Sequence, residues 1–218
     1  MTNTHSKDMP VKLYYSPAAC SLAPHIALEE AGVAYDLVKV DLRTHKLADG
    51  TDYTAINPKG YVPLLQLDNG EHLSEAAVIL QYIADRKPGT LAPAYGTMER
   101  YRVNEWLNFI ATELHKQFGP LWYPDTPEAT KVTQRAKLAK GFDLVAKTLE
   151  QQPYLTGESF GIADAYLYTI VNWSGMLKVD LAPWPALQKF QARVAARPKV
   201  HAALKAEHLV RDPAPAVA

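Results

Sequence analysis

Strand-type segments alternate with helical ones only in the first part of the chain, and this change of pattern constrains the fold more than any other feature. Across Val11–Pro88 the order is strand, helix, strand, then two strands joined by Asn69-Gly70, then a helix. Asn-Gly between β-type runs is a strong hairpin signal because both residues tolerate positive φ. Later segments show only helical periodicity. We therefore expect an α/β unit at residues 11–88, a linker at 89–97 and an all-helical unit at 98–208.

The periodicity also sets the expected elements. In the first unit, strands are predicted at Val11–Tyr15, Tyr35–Val40, Val62–Leu67 and Glu71–Leu73, and helices at Leu22–Ala31 and Glu75–Asp85, with Gly32 and Ser74 as caps. The first two strands flank a helix and should be parallel. This order is that of a thioredoxin-like domain. In the second unit, helices are predicted at Met98–Phe118, Glu128–Glu150, Ile162–Leu177, Pro185–Ala196 and Lys199–His208. We expect flexible tails at residues 1–10 and 209–218.

Composition excludes several classes of function. Lys and Arg total 23 and Asp and Glu total 23, so the chain lacks the basic surplus with which proteins bind nucleic acid. No apolar run approaches the ~20 residues of a membrane span, and the polar first residues lack a secretory core. We therefore expect a cytoplasmic protein. One cysteine, Cys20, excludes an intramolecular disulfide and a Cys-based zinc site, and no metal is expected.

Cys20 lies between a predicted strand and a predicted helix. Pro24 places the helix start within a few residues of the thiol, because proline is tolerated only in the first helical turn. Unpaired amides and the helix dipole would then lower the pKa of the thiol. The alternative is a buried cysteine that acts as a small hydrophobe. A second cysteine of a dithiol motif would fall at Ala23, so a redox cycle needs an external thiol, of which glutathione is the abundant cytosolic candidate.

Two other segments have the chemistry of a binding site. Pro63 is either an edge-strand residue or a cis-proline, and in the cis form the backbone of Val62 could pair with an extended peptide. Glu75 opens a helix whose free amides can hold a carboxylate, while its own side chain can accept from an amine. An ordinary capped helix with an acidic first turn is the alternative for Glu75.

A polar stripe lies along one face of the first predicted helix of the second unit. Asn108, Thr112 and His115 are four and three residues apart, which places them on one helical face. The face is either solvated or a wall of the Cys20 pocket, where a protonated or donor His115 and cationic Lys116 would stabilise a thiolate. Four aromatic residues are candidates for an apolar wall, with core packing as the alternative: Phe109, Phe118, Trp122 and Tyr123.

Five motifs, in order from about Val11 to His208, resemble those of bacterial beta-class glutathione S-transferases. They are Ser16–Leu22, Asn57–Pro63, Leu73–Ala76, Thr112–Lys116 and Ile162–Leu167. The resemblance implies the glutathione transferase fold, a thioredoxin-like N-terminal domain followed by an all-α domain. It also implies a homodimer with one glutathione site per subunit, and part of the grip on the γ-glutamyl group then comes from the neighbouring subunit.

The resemblance also implies roles for individual residues. Cys20, His115 and Lys116 would be catalytic, with Cys20 contacting the glutathione sulfur by a hydrogen bond or a mixed disulfide. Val62, before a cis-Pro63, would pair with the cysteinyl backbone, and Glu75 with Ala76 would hold the γ-glutamyl end. Asn108 and Thr112 would line the helical side near the sulfur. His45 or Lys46 would reach the glycine end.

This sequence departs from the family pattern at three positions, one of which is His45, where some relatives have a Lys near the glycine end of glutathione, with Lys46 beside it. Ala76 stands where serine is common, so it offers only a backbone N–H, and Gly161 stands where relatives often have Ser or Thr. Without that side chain the capping box with Asp164 is half present, which makes Asp164 structural.

The expected activity is conjugation of the glutathione thiolate to electrophilic apolar compounds, a detoxification role, with thiol–disulfide exchange through Cys20. Two alternatives stay open. One is a glutathione-dependent peroxidase or thiol transferase as the main role, and the other is a non-enzymatic binding or regulatory protein.

Overall fold

A mixed sheet forms the first half of the molecule. The computed structural model describes residues 10–210. Its strands are β1 (Val11–Tyr15), β2 (Tyr35–Asp41), β3 (Lys46–Leu47), β4 (Leu64–Gln66) and β5 (His72–Ser74). They lie in the order β3-β2-β1-β4-β5. β1 and β2 are parallel, as predicted, and the other neighbours are antiparallel. The short edge strand β3 was not predicted because its sequence is polar.

Helices make up the rest of the fold. They are α1 (Leu22–Ala31), α2 (Ala76–Arg86), α3 (Met98–Phe109), α4 (Lys116–Phe118), α5 (Glu128–Leu149), α6 (Ile162–Met176), α7 (Pro185–Ala195) and α8 (Pro198–Ala206). A π-helix, Ile110–His115, joins α3 to α4, and 3₁₀ turns lie at Tyr53–Ala55 and Gly119–Trp122. The predicted fold class, a thioredoxin-like domain followed by an all-helical one, is confirmed. No helix within residues 10–210 is long and apolar enough to cross a membrane.

Three local predictions are wrong. Ser74 belongs to β5 and does not cap α2, whose N-cap is Glu75 at φ 72° and ψ 117°. Within the Asn69-Gly70 turn only the glycine has positive φ, and the two flanking strands are shorter than expected. The tail expected at residues 209–218 is wrong for its first two positions, because Leu209 donates to the Leu204 carbonyl and Val210 packs against the core. Residues 1–9 and 211–218 of the expected tails lie outside the described residues.

The predicted single helix Met98–Phe118 is interrupted. Its middle turn, Ile110–His115, is a π-helix, in which hydrogen bonds run from residue i to i+5 and add one residue to the turn. Side chains on either side of the turn therefore no longer keep the four-and-three spacing of one α-helical face. The predicted stripe of Asn108, Thr112 and His115 is divided by this change of register.

One hydrophobic core runs through both halves of the fold. It contains fully buried side chains from the sheet half and from the helical half, among them Leu13, Ile26, Leu80, Leu107, Phe142 and Leu167. Helix α1 contacts α2 on one side and both α6 and α8 on the other. The helical half thus packs directly against the element that follows Cys20.

Asp164 organises the start of α6. Its fully buried carboxylate accepts hydrogen bonds from the backbone N–H groups of Leu155 and Gly161, both at 2.9 Å. A Cβ at Gly161 would lie 2.8 Å from the carbonyl oxygen of Leu91, which accepts from Ile162. Glycine therefore fits this close approach, and Asp164 supplies the half of the capping box that has a side chain.

We expect Asp164→Ala to lower the free energy of unfolding by about 2–4 kcal/mol, because the buried amides of Leu155 and Gly161 lose their acceptor. Urea unfolding of the wild type and the variant measures the loss. Asp49→Ala is the matched control, since Asp49 also accepts from a backbone amide, that of Thr51, but is exposed. Equal losses in the two variants would contradict the role of Asp164.

Candidate active site

A cleft of about 1490 Å³ lies between the sheet half and the helical half. It is lined by most of the predicted site residues, namely Cys20, His45, Val62, Pro63, Glu75, Ala76, His115 and Lys116. Lys46, Asn108 and Thr112 do not line it. The structure therefore brings together eight of the eleven predicted residues.

The Cys20 loop, residues 16–21, connects β1 to α1 and is held by the helical half. Ala18 has a positive φ of 61°. Its N–H donates to Glu207 Oε2 (3.0 Å), and its carbonyl accepts from Trp173 Nε1 (2.8 Å). Glu207 is buried and also contacts His25 Nδ1 at 2.8 Å. The two peptide groups that flank the Ala18 Cα, two residues before Cys20, are thus each fixed by a buried side chain.

Cys20 is a hydrogen-bond donor in this structure. Its Sγ donates to the Val62 carbonyl at 3.2 Å, and the Val62–Pro63 peptide bond is cis. Burial raises the pKa of the Cys20 thiol to about 12, although the backbone N–H groups of Cys20 and Ser21 lower it, and the Glu75 carboxylate raises it further. The prediction of a lowered pKa is wrong because desolvation of the thiolate outweighs the amides at the helix start.

Glu75 stands in an uncommon backbone conformation at the start of α2. A non-glycine residue at φ 72° is strained, and such strain concentrates at functional sites. The exposed Glu75 carboxylate pairs with Lys59 Nζ, 2.5 Å away, and the same ammonium donates to Ser74 Oγ at 3.0 Å. Ala76 is the first residue of α2, so its N–H belongs to the helix amides that have no intrahelical acceptor.

His115 is a neutral side chain packed among aromatic rings. Its Nδ1 lies 2.7 Å from the Tyr166 hydroxyl, and its ring centroid is 5.0 Å from that of Trp173. Burial lowers the pKa of His115 to about 4, with a further contribution from cationic Lys116. A protonated His115 is therefore excluded at neutral pH, which leaves the expectation of a hydrogen-bond donor.

The polar stripe does not face this cleft as a unit. Asn108 and Thr112 are exposed and lie outside it, whereas His115 and Lys116 line it. The π-helical turn accounts for the difference.

The predicted aromatic wall is only partly at the cleft. Trp122 and Tyr123 line it, whereas Phe118 is buried in the core and Phe109 packs against the core.

His45 and Lys46 point to different environments. Lys46 is exposed in β3, where it lies opposite Asp41 in the antiparallel register with β2. His45 lines the cleft, and its buried Nδ1 has no hydrogen-bond partner among residues 10–210. Its ring packs against Gly60, where a Cβ would lie 3.2 Å from the imidazole. The geometry favours His45 as the residue available to a ligand.

Several residues that shape the site were not identified from the sequence. Lys59 lies within the Asn57–Pro63 motif, and a charged residue between Pro58 and Gly60 was the sequence signal that could have identified it. Tyr166 and Trp173 contact His115 from α6, but α6 is apolar around most of its circumference, so periodicity could not show which side faces the cleft. Glu207 and His25 are 182 positions apart, and no local pattern joins them. Within the described residues, no group of three or more His, Cys, Asp or Glu side chains is arranged to hold a metal ion.

Comparison with known proteins agrees with this architecture. Residues 18–86 match the model of the glutathione S-transferase N-terminal domain, and residues 109–198 match that of the C-terminal domain. The chain is 48% identical over 201 residues to the glutathione S-transferase GstA of Escherichia coli O157:H7, a match that covers 91% of this chain and all of the relative.

Two solved structures are similarly close. The bacterial beta-class glutathione S-transferase of Sphingomonas chungbukensis superposes with a TM-score of 0.88 at 46% identity, and a sphingomonad glutathione S-transferase complexed with glutathione does so with 0.87 at 44%. Each match covers 91% of this chain and the whole of the other. The chain belongs to the glutathione S-transferase family, within its bacterial beta class, and is a glutathione transferase enzyme.

The neutral state of His115 predicts a pH dependence of stability. In the unfolded chain a histidine has a pKa of about 6.5, and in the folded protein that of His115 is about 4. The unfolded chain binds more protons between these values, so the contribution of His115 to stability is present above pH 6.5 and lost as the pH falls toward 4.

We therefore expect the wild type to lose stability relative to His115→Asn when the pH is lowered from about 7.5 to about 4.5. Urea unfolding of both proteins at the two pH values measures this difference. A stability difference that does not change with pH would contradict a neutral His115.

Proposed function

We propose that the cleft binds glutathione with its sulfur at Cys20 and conjugates its thiolate to electrophilic carbon atoms of foreign compounds, a detoxification role. The observation that carries the proposal is the position of Cys20 and His115 in one cleft, where the Cys20 Sγ donates to the Val62 carbonyl at 3.2 Å and His115 Nδ1 lies 2.7 Å from the Tyr166 hydroxyl. Burial raises the pKa of the thiol and lowers that of the imidazole, which favours the neutral form of each. Both groups can donate a hydrogen bond at neutral pH without needing a counter-charge. A glutathione thiolate is the acceptor that such an arrangement suits.

In this mechanism Cys20 turns its S–H from the Val62 carbonyl to the glutathione sulfur. Donation to a thiolate favours the charged form and so lowers the pKa of the bound glutathione thiol. The thiol proton passes to solvent, and the sulfur forms a bond to the electrophilic carbon as the leaving group departs with its electron pair. The protein contributes the lowered pKa and the alignment of the two reactants.

His115 and Lys116 support the same sulfur from the helical side. Burial raises the pKa of the Tyr166 hydroxyl, so this hydroxyl stays protonated, and we assign it as the donor to His115 Nδ1, which is 2.7 Å away. The proton of the imidazole is then on Nε2, where it can be donated into the cleft. The ammonium of Lys116 adds a positive charge at the next position of the chain, which favours a thiolate over a thiol.

The two ends of glutathione are assigned to the sheet half. The γ-glutamyl carboxylate is held by the free N–H of Ala76 at the start of α2, and its amine by the Glu75 carboxylate. The backbone of Val62 pairs with the cysteinyl residue of the tripeptide. The unpartnered His45 takes the glycine end, and Lys46 is left outside the site.

A homodimer completes the site in this proposal. Asn108 and Thr112 are exposed and outside the cleft of their own chain, so their assigned contact with glutathione requires a second copy. We propose that each subunit presents these two residues to the glutathione of its partner. A cytoplasmic location follows from the same ligand, because the reduced cytosol is where glutathione is abundant.

Thiol–disulfide exchange is the second activity of the same thiol. A Cys20 thiolate would attack a glutathione mixed disulfide, forming Cys20–glutathione disulfide and releasing the other thiol. A second glutathione thiolate would then release oxidised glutathione and free Cys20. We expect exchange to be the slower activity, because burial raises the pKa of the Cys20 thiol and so lowers the fraction of thiolate at neutral pH.

The two roles of Cys20 are separated by substitution. We expect Cys20→Ser to keep conjugation of an aryl halide within about threefold of wild type, because a hydroxyl also donates to the thiolate. Cys20→Ala should lose roughly tenfold through a higher pKa of bound glutathione. Both variants should lose exchange with a glutathione mixed disulfide. Kinetic assays of the two reactions, with the thiolate absorbance of bound glutathione titrated against pH, measure these effects.

Retained exchange activity in Cys20→Ser would overturn the assignment of Cys20. If the wild type binds immobilised glutathione but turns over neither substrate, a binding or regulatory protein is favoured. A glutathione-dependent peroxidase is tested with an organic hydroperoxide in the same series. Conjugation by Cys20→Ala at the wild-type rate, with an unchanged thiolate titration, would contradict the donor role.

A further inference from the structure

One wall of the cleft carries groups that the proposed glutathione contacts do not use. It is formed by α4, the following 3₁₀ turn and α5, and we call it the helical wall: Lys116, Trp122, Tyr123, Gln134 and Lys137. The two ends of glutathione are assigned to the sheet half, and of these five residues only Lys116 has an assigned role toward glutathione, at its sulfur. The rest of the wall is left for the second substrate.

The charge of the helical wall is unbalanced. Among the described residues, Glu75 is the single carboxylate that lines the cleft, and it is already paired with Lys59. Lys116 and Lys137 line the same cleft with no carboxylate within ion-pair distance in the described part of the chain. The chain as a whole has 23 basic and 23 acidic residues, so this local surplus of positive charge is not a consequence of composition.

Lys137 has a polar neighbour without a partner. Gln134 lies one turn before it on α5, and a three-residue spacing places both side chains on one face. The Gln134 Oε1 is buried and has no hydrogen-bond partner within residues 10–210. The unpaired atom is a hydrogen-bond acceptor, so it does not bind an anion, and the positive charge of Lys137 is the feature that an anionic ligand would meet in this part of the cleft.

The same wall offers aromatic surface. Trp122 is 43% exposed and Tyr123 is 64% exposed, and both line the cleft. Exposed aromatic faces beside a cationic group suit a flat, apolar body that bears a negative charge, because the ring packs while the anion pairs with the ammonium.

We propose that the acceptor substrate of this enzyme is an aromatic electrophile that carries a carboxylate or sulfonate, with its ring against Trp122 and Tyr123 and its anionic group on Lys137. This inference rests on the proposed function and specifies its second substrate. The reaction is aromatic substitution: the glutathione thiolate forms a carbon–sulfur bond at the ring carbon, and the carbon–halogen bond breaks to release halide. The thiol proton goes to solvent, and nothing is oxidised or reduced.

A matched pair of substrates tests the charge alone. 4-Chloro-3,5-dinitrobenzoate and its methyl ester share the reacting ring, and one of them is anionic. For each, kcat/KM is divided by the rate constant of the uncatalysed reaction with glutathione, and the acid-to-ester ratio of these values is compared among variants. We expect Lys137→Gln to lower the ratio by roughly fivefold, chiefly through KM for the acid, as loss of one partly exposed ion pair implies.

Two controls accompany this variant. Lys147→Gln removes the same charge from α5 at an exposed position that does not line the cleft, and it should keep the wild-type ratio. Lys137→Arg should restore the ratio toward the wild-type value, because the positive charge returns. Raising the salt concentration should lower the ratio more for the wild type than for Lys137→Gln, in which Lys116 is the remaining cation of the helical wall.

The outcomes separate this inference from the proposed function. If both substrates are conjugated and Lys137→Gln has the wild-type ratio, the anionic substrate class is wrong and the conjugating activity stands. An equal fall of the ratio in Lys147→Gln would also overturn the inference, since the effect would then be one of net charge. If neither substrate is conjugated by protein that binds glutathione, the proposed function fails and the inference fails with it.

Discussion

The backbone of Ala18 is held on both sides by side chains that come from later parts of the chain, and the position of the Cys20 thiol depends on it. Its N–H meets the Glu207 carboxylate and its carbonyl meets the Trp173 indole. A positive φ at a non-glycine residue is unfavourable on its own, so the loop keeps this shape because buried partners require it. Burial of Glu207 is in turn tolerated because His25 and Ala18 satisfy its oxygens. The helical half therefore helps to set the position of Cys20. It also shares one hydrophobic core with the sheet half.

Irregular backbone in this fold is concentrated around the cleft. Five non-glycine residues have positive φ in the described chain, and Ala18, His45 and Glu75 of that set line the cleft. The π-helical turn Ile110–His115 ends at a further lining residue. Such conformations cost free energy and persist where surrounding packing fixes them. Each one places a polar side chain at the same cleft: the Ala18 loop places the Cys20 thiol, and His45 and Glu75 place their own side chains. The extra residue of the π turn places His115 at the cleft and leaves Asn108 outside it.

Much of the fold could be predicted from the sequence because its signals are local. The bounds of α1, Leu22–Ala31, and its stop at Gly32, which has φ 61°, follow from periodicity and one glycine. The parallel pairing of β1 and β2 follows from the strand–helix–strand order, because a helical crossover between neighbouring strands makes them parallel. The site was predicted where a motif is contiguous, as around Cys20 and Glu75. It was mispredicted where a contact between distant segments decides: the π turn breaks a spacing that assumed an ideal helix, and the burial that sets the pKa of Cys20 comes from residues remote in sequence.

One physical cause sets the charge state of the two central groups in opposite directions. Desolvation raises the pKa of Cys20 to about 12 and lowers that of His115 to about 4, because burial disfavours whichever form is charged. Both are therefore neutral over a wide pH range and keep a proton to donate. A site of neutral donors does not attract an anion from a distance, since long-range attraction requires net charge. In the proposed site that part falls to Lys116 and Lys137, which line the cleft and are exposed. In the proposed function Lys116 is the one residue with a part in both tasks, whereas Lys137 serves the second substrate alone, so a change at Lys137 alters the choice of that substrate without altering Cys20 or His115.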